Sequence, residues 1–347
     1  MGDARAWGNR ARIFSAALVA ATVIVVAGCA PEPVVEPTPT PTVTEAEPVD
    51  TSTLRTMIDA PASTPELVLG EPATAIADET AVLVSYDSGG TNVTGVLRTP
   101  PGDGPRPAVV AVHGSVDPAD YEPGGDLIAE QRALLEAGYT VLAVDMRGYA
   151  GSDPADTSSL AIDPNFGWTT YLDWGMALDV VNALRMLRSG EVEGVDPERV
   201  GLVGHSLGGL LAIDAAVIAP GAADLVIALS APTSDLGGLI QQYIDSGEAD
   251  ELFTGSAAPP EDPQYWQDVS PITFFDRATE PLLLIHGGAD DTTLPEWSEQ
   301  TAEAWRATGN ESEAIIIDGA DHGLSPNRSE VANIVVEAFD SVLTPGL

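Results

Sequence analysis

Short, unbroken apolar runs recur through this chain at 108–112 (AVVAV), 140–144 (TVLAV), 199–203 (RVGLV), 225–229 (LVIAL), 282–285 (LLLI) and 314–317 (AIII). Runs of this length and continuity suit strands buried on both faces, because a strand with one wet face alternates apolar and polar residues. Helix-length stretches lie between or after them, at 126–137, 170–188, 207–218, 296–308 and 328–343. Strands alternating with helices predict an α/β fold: a mostly parallel, doubly wound sheet with helices on both faces. Ahead of these, 80–86 (TAVLVSY) and 91–98 (TNVTGVLR) are joined at Asp87-Ser88-Gly89-Gly90 and predict an antiparallel hairpin at the N-terminal edge of that sheet.

Two intervals break the alternation. Residues 149–169 form a long loop, and 231–275 form an insertion carrying Ile240, Tyr243, Leu252, Trp266 and Phe274. Such an insertion is a lid or cap over a site, or a set of packed surface helices. Residues 51–78 carry no clear periodicity and are expected as a loosely ordered lead-in.

The N-terminus is of a different kind. Arg5, Arg10 and Arg12 precede an apolar stretch at 13–27 that ends in small residues before Cys29, the single cysteine. This pattern predicts a secretory signal peptide over 1–28, too short in its apolar core for a spanning helix. Val26-Ala27-Gly28-Cys29 resembles the bacterial lipoprotein signal, which implies that Cys29 is lipidated and becomes the mature N-terminus. Residues 29–60 are then expected to be a disordered tether rich in Pro, Thr and Glu, leaving 61–347 as the folded domain. The chain so placed is extracytoplasmic, held to the membrane through its lipid anchor alone.

The formal net charge of -39 comes from 53 acidic residues against 14 cationic ones, every one of them arginine. That charge repels nucleic acid and anionic lipid, so neither is an expected partner.

Gly204-His205-Ser206-Leu207-Gly208 falls between a predicted strand and a predicted helix. Gly-x-Ser-x-Gly in that context is a nucleophile elbow, a turn sharp enough to force the serine into strained backbone and to need glycine on either side. A serine hydroxyl also needs a base and a carboxylate to orient that base. There are 4 histidines. His205 adjoins the nucleophile and is directed away from it, as packing at the elbow. His113 and His286 end strands before glycine and are expected to hold loops. His322, in a loop after a late strand, is the candidate base. Asp290 and Asp291, after the strand ending at His286, are the candidate carboxylates, and either completes the order Ser…Asp…His. Oxyanion donors are expected from the backbone N–H of Leu207 and from that of Ser115 or Val116, with Ser115 preferred. Trp168, Tyr171, Tyr243 and Trp266 are candidates for an apolar substrate pocket, the alternative role for them being core.

The stretches VDPERVGLVGHSLGG (195–209), LLLIHGGADDTTLP (282–295) and GADHGL (319–324) resemble the α/β-hydrolase superfamily, in the branch of dienelactone-hydrolase-like esterases and prolyl-oligopeptidase-type catalytic domains. VDMRGYAGSD (144–153) is similar to a turn that shapes the loop beside the site in that family. The resemblance implies an α/β-hydrolase fold with Asp290 as the carboxylate. Asp291 stays open, because the spacing to Pro295 is one residue longer than the common one. It departs from the family in three ways: dienelactone hydrolases use cysteine where Ser206 stands, oligopeptidases carry a β-propeller ahead of the catalytic domain where this chain has a tether, and the aspartate nucleophile of epoxide hydrolases is absent. The expected activity is hydrolysis of a carboxylic ester through an acyl-enzyme, with no metal or organic cofactor. The rivals are a peptidase or amidase on short peptides and a binding protein without turnover.

Overall fold

The structure, a computed structural model, describes residues 48–155, 160–162, 170–246 and 261–344, with the backbone alone at 160–162 and 170–172. The expected signal peptide, Cys29, the expected tether up to residue 47 and Trp168 lie outside the described residues. In chain order the elements are α1 (Leu54–Asp59), β1 (Val68–Pro72), β2 (Thr80–Asp87), β3 (Asn92–Thr99), β4 (Arg106–Val112), α2 (Ile128–Glu136), β5 (Thr140–Val144), β6 (Leu160–Ile162) and β7 (Thr170–Leu172). They continue with α3 (Gly175–Arg188), β8 (Val195–His205), α4 (Leu207–Ile218), β9 (Leu225–Leu229), α5 (Leu236–Ser246) and α6 (Pro263–Val269). A 3-10 helix (Pro271–Arg277), β10 (Leu282–Gly287), α7 (Pro295–Ala307), β11 (Ser312–Ile317) and α8 (Arg328–Leu343) complete them.

A 9-stranded sheet runs in the order β1-β2-β3-β5-β4-β8-β9-β10-β11. From β5 to β11 neighbouring strands are parallel, whereas β1, β2, β3 and β5 pair antiparallel. Alternate residues of each central strand feed two separate cores, which is why the apolar runs are continuous. Val110, Val112, Leu202 and Leu284 pack on one face with Leu184 of α3, Leu211 of α4 and Trp305 of α7. Val109, Ala111, Val203 and Ile285 pack on the other with Leu134 of α2 and Phe339 of α8. Each of the Val, Leu, Ile and Phe side chains among them, once buried, contributes roughly 1.5–3 kcal/mol. This is the doubly wound α/β-hydrolase architecture.

The N-terminal expectations need correction. Residues 54–60 belong to the body, not to the tether. The hydroxyl of Thr53 accepts the Thr56 N–H at 3.1 Å and starts α1. Leu54 and Met57, three apart and so on one face, are then buried in the core. The hairpin β2–β3 is not the sheet's edge either, since β1 pairs outside β2. All five residues of β1 are exposed, so no apolar alternation announces it.

Helix α3 starts at Gly175 rather than 170, because 170–172 pair with 160–162 as a two-stranded ribbon. The Asp173 carboxylate then accepts the Gly175 N–H at 2.8 Å. The described parts of the insertion at 231–275 are packed helices. Ile240, Trp266, Val269, Phe274 and Phe275 are buried in the core.

One core residue conflicts with its surroundings. Asp214, inside α4, is fully buried, and among the described residues neither carboxylate oxygen has a hydrogen-bond partner. Burial pushes its carboxyl far above the usual carboxylate range. The unfolded chain therefore releases this proton at lower pH than the folded one, and stability from this group falls as pH rises above the ordinary carboxylate value. Asp214→Asn should raise the urea midpoint at about pH 8 and change it much less at about pH 5, flattening the pH dependence of stability. An equal effect at both values would contradict this.

Candidate active site

β8 runs directly into α4 through Ser206, whose backbone sits at φ 53, ψ −121. That conformation costs a non-glycine residue on the order of 1–3 kcal/mol and persists only where its surroundings hold it. Here the Ser206 N–H donates to the Leu229 carbonyl at 2.8 Å. The flanking glycines follow from lack of space. A Cβ on Gly204 would collide with the Gly208 carbonyl, and one on Gly208 with the carbonyls of Val112 and His113. Gly114 approaches from the neighbouring loop, where a Cβ would lie 3.1 Å from the Ser206 Cβ.

The loop after β11 delivers His322 to the same rim. Its Nε2 lies 2.9 Å from Ser206 Oγ, and its Nδ1 lies 2.8 Å from Asp290 Oδ2. With Nδ1–H donated to the carboxylate, the Nε2 lone pair faces the hydroxyl and accepts its hydrogen. The close approach of this loop to β10 depends on Gly287, since a Cβ there would meet the carbonyls of Ala320 and Asp321.

Asp290 is the hub of this arrangement. Its Oδ1 accepts the N–H groups of Thr292 at 2.9 Å and Thr293 at 3.0 Å, and its Oδ2 accepts the Thr293 hydroxyl at 2.9 Å as well as His322. His286 Nε2 stands 3.1 Å from the same oxygen. Burial opposes the charge, but the hydrogen bonds from His286, His322 and Thr293 outweigh it and hold the carboxyl well below the usual range. His286 is held in turn by the Ser298 hydroxyl on Nδ1 at 2.6 Å and the Thr293 carbonyl at Nε2 at 2.8 Å. Asp291, the other sequence candidate, is exposed.

The expected oxyanion loop is anchored from behind. His113 Nε2 bonds the Asp145 carbonyl at 2.9 Å, and the Asp145 carboxylate accepts the Gly124 N–H at 2.8 Å and the Tyr121 hydroxyl at 3.0 Å. Arg147, in the same turn, binds the buried Asp179 at 2.7 Å. The 144–153 turn thus holds that loop through buried hydrogen bonds and an ion pair. The N–H of Gly114 is taken by Asp126 Oδ2 at 2.9 Å. Among the described residues the N–H groups of Leu207 and Ser115 have no acceptor.

His205 is more than packing. Its Nδ1 lies 2.9 Å from Asp126 Oδ2 and its Nε2 lies 3.1 Å from the His322 carbonyl. Asp126 and Thr293 are site residues that sequence reasoning missed. The histidine inside the elbow was the available signal for the first, because a buried imidazole needs partners.

The aromatic candidates separate. Trp168 is outside the described residues, and only the backbone of Tyr171 is described, in β7. Tyr243 is half-buried against the core. Trp266 is 2% exposed, with its Cβ side against Gly237, and packs the insertion rather than walling an open pocket. A cleft of about 940 Å³ opens at the opposite end of the sheet, lined by Leu69, Val82, Arg106 and Met186, and includes none of the site residues. Among the described residues no cluster of His, Cys, Asp and Glu is arranged to hold a metal, and no helix is long and apolar enough to cross a membrane.

The prolyl oligopeptidase family matches residues 127–339, more than half of the chain. The chain is 28% identical over 209 residues to an epoxide hydrolase of Caballeronia sordidicola, covering 59% of this chain and 54% of that protein. It is 28% identical over 257 residues to esterase EstD of Thermotoga maritima, covering 66% of this chain and 57% of that one. The chain thus spans little more than half the length of these curated relatives. In fold it is similar to acetyl xylan esterase 1 of Thermoanaerobacterium, with a TM-score of 0.63 at 18% identity over 84% of this chain and 94% of that chain.

Proposed function

This chain belongs to the prolyl oligopeptidase family of serine hydrolases, and from that premise we propose that it is a lipid-anchored, extracytoplasmic carboxylic-ester hydrolase working through an acyl-enzyme on Ser206. The observation that carries the reading is the continuous hydrogen-bonded chain from Ser206 Oγ through His322 to Asp290, at 2.9 and 2.8 Å. In the first half-reaction Ser206 Oγ attacks the ester carbonyl as His322 Nε2 takes its proton. The carbonyl π electrons move to oxygen, where the N–H groups of Leu207 and Ser115 receive the negative charge. Collapse expels the alcohol, which takes the proton back from His322. Water then repeats the sequence and releases the acid. Asp290 stays ionised throughout and stabilises the imidazolium, in keeping with its depressed carboxyl.

The ester reading is supported by the likeness to esterase EstD and by the match to nearly the full length of the acetyl xylan esterase chain. The family itself favours a second reading, hydrolysis of short peptides or amides by the same groups. Esters of graded acyl length and aminoacyl anilides, tested side by side, separate the two. Turnover of esters with little of anilides is expected; the reverse preference would favour the peptidase. Ser206→Ala and His322→Ala should each lower kcat by at least about 10⁴-fold, and Asp290→Asn by about 10³–10⁴-fold. Asp291→Asn should stay within about twofold, as exposed substitutions do. Full activity in Ser206→Ala would refute the mechanism.

The anchor rests on the apolar stretch before Cys29 and the resemblance of Val26-Ala27-Gly28-Cys29 to a lipoprotein signal. Cys29→Ser should move the protein out of the membrane fraction; unchanged membrane retention would remove the anchor from the reading.

A further inference from the structure

Beside the Ser206–His322–Asp290 chain stands a second carboxylate–imidazole pair. His205 Nδ1 faces Asp126 Oδ2 at 2.9 Å and its Nε2 faces the His322 backbone carbonyl at 3.1 Å. A backbone carbonyl can only accept, and a carboxylate oxygen that already accepts the Gly114 N–H at 2.9 Å is an acceptor as well. Both ring nitrogens therefore face acceptors; the imidazolium alone donates to both, and the carboxylate supplies the opposite charge that favours it over the neutral ring. We propose that His205 is a positioning residue that works as an imidazolium, tying the elbow, the His322 loop and, through Asp126, the Gly114 loop into one catalytic geometry. The proposal rests on the hydrolase reading above.

The surroundings are built for this charge. Asp126 holds an unfavourable backbone conformation at φ 58, followed by Leu127 at φ 49, so the fold accepts strain to present this carboxylate. Burial opposes ionisation of Asp126, yet His205 and the Gly114 N–H outweigh it and keep the carboxyl well below its ordinary range. Burial likewise opposes charge on His205, and Asp126 outweighs it, raising the imidazole above its ordinary value. The other charged groups facing the pair are few. Arg328, at the start of α8, lies 3.6 Å from Asp126 and disfavours the imidazolium, but Glu130 of α2 holds its guanidinium at 2.6 and 3.0 Å. The His322 ring lies 5.3 Å from the His205 ring. His113 makes the contrast: its ring nitrogens also face two acceptors, but both are backbone carbonyls, and with no carboxylate hydrogen-bonded to its ring burial lowers it instead, so it is the Asp126 carboxylate that holds the charge on His205.

The consequence is directional. Below its raised value His205 keeps both bonds. As pH climbs through that value the proton leaves Nε2, whose lone pair then opposes the His322 carbonyl, and the loop carrying the base loses its tie. Activity should therefore fall on the alkaline side through kcat rather than KM. On the acid side Asp126 remains ionised.

The test is the pH dependence of kcat and KM on a neutral ester for wild type, His205→Gln and Asp126→Asn, with ¹H–¹⁵N NMR of the imidazoles in the full-length Ser206→Ala protein. Glutamine offers one donor nitrogen in place of two, so it can tie the His322 carbonyl or Asp126 but not both, and it cannot titrate. His205→Gln should lower kcat about 10- to 100-fold with KM nearly unchanged, as for misplacement of a catalytic group by a fraction of an ångström, and should lose the alkaline limb. Asp126→Asn should shift that limb to lower pH. At about pH 7 both His205 nitrogens should carry protons. A neutral His205 there, or an alkaline limb at the same pH with unchanged kcat in both variants, would overturn the proposal. The NMR result decides it even where a variant folds poorly or no ester is turned over, so its failure is distinct from that of the hydrolase reading.

Discussion

The site depends on the sharp turn at Ser206. A β-strand and an α-helix meet with a single residue between them, and that residue is held at φ 53 by its N–H bond to Leu229 and by glycines that have no room for a side chain. The same turn does two chemical jobs. It lifts the hydroxyl off the end of the sheet, and it leaves the Leu207 N–H at the start of α4 without an intrahelical acceptor, where the helix end favours negative charge. Moving the serine one residue along the strand or the helix would lose both.

Around that turn, charge and backbone geometry hold the remaining parts. Asp290 gathers N–H and O–H donors from its own turn, and Asp126 gathers N–H donors from the Gly114 loop and from His205 at the end of β8. Ionised acceptors make stronger bonds than neutral ones, and buried bonds of this kind fix orientation before substrate arrives. The glycines at 114, 208 and 287 play the matching steric role, letting backbone from separate strands approach within van der Waals contact. Local strain at Ser206 and Asp126 is thus supported by tertiary contacts from the whole rim of the sheet.

How much of this could be read from the chain depended on whether the cause was local. β5 and β9 coincide with the runs at 140–144 and 225–229, and α4 and α8 with the expected 207–218 and 328–343, because burial on both faces or a clear elbow leaves a continuous signature. β1 left none, its residues being exposed and interrupted by Gly70 and Pro72. α1 was missed because two buried residues in one turn are too few to show a period. Ser206, His322 and the acidic pair at 290–291 stood out by type and position, but which acid meets the imidazole is a matter of burial after a turn, and the structure brings Asp290 to it. Asp126 acts through a contact 79 residues away in sequence, which no local pattern encodes, whereas Thr293 caps Asp290 three residues before it, in a turn whose role shows only once Asp290 is known to meet the imidazole. Trp266 shows the reverse error, since an aromatic residue in an insertion fits a pocket wall and a core equally well until its exposure is known.

The central claim, that the strained elbow delivers Ser206 as the nucleophile, is tested most directly by catching the covalent intermediate. Protein quenched in acid during turnover of a slowly deacylated ester should gain the mass of one acyl group, located by peptide mapping to Ser206. Rapid ester turnover with no acylated protein at any time, or an acyl group on a different residue, would contradict the account.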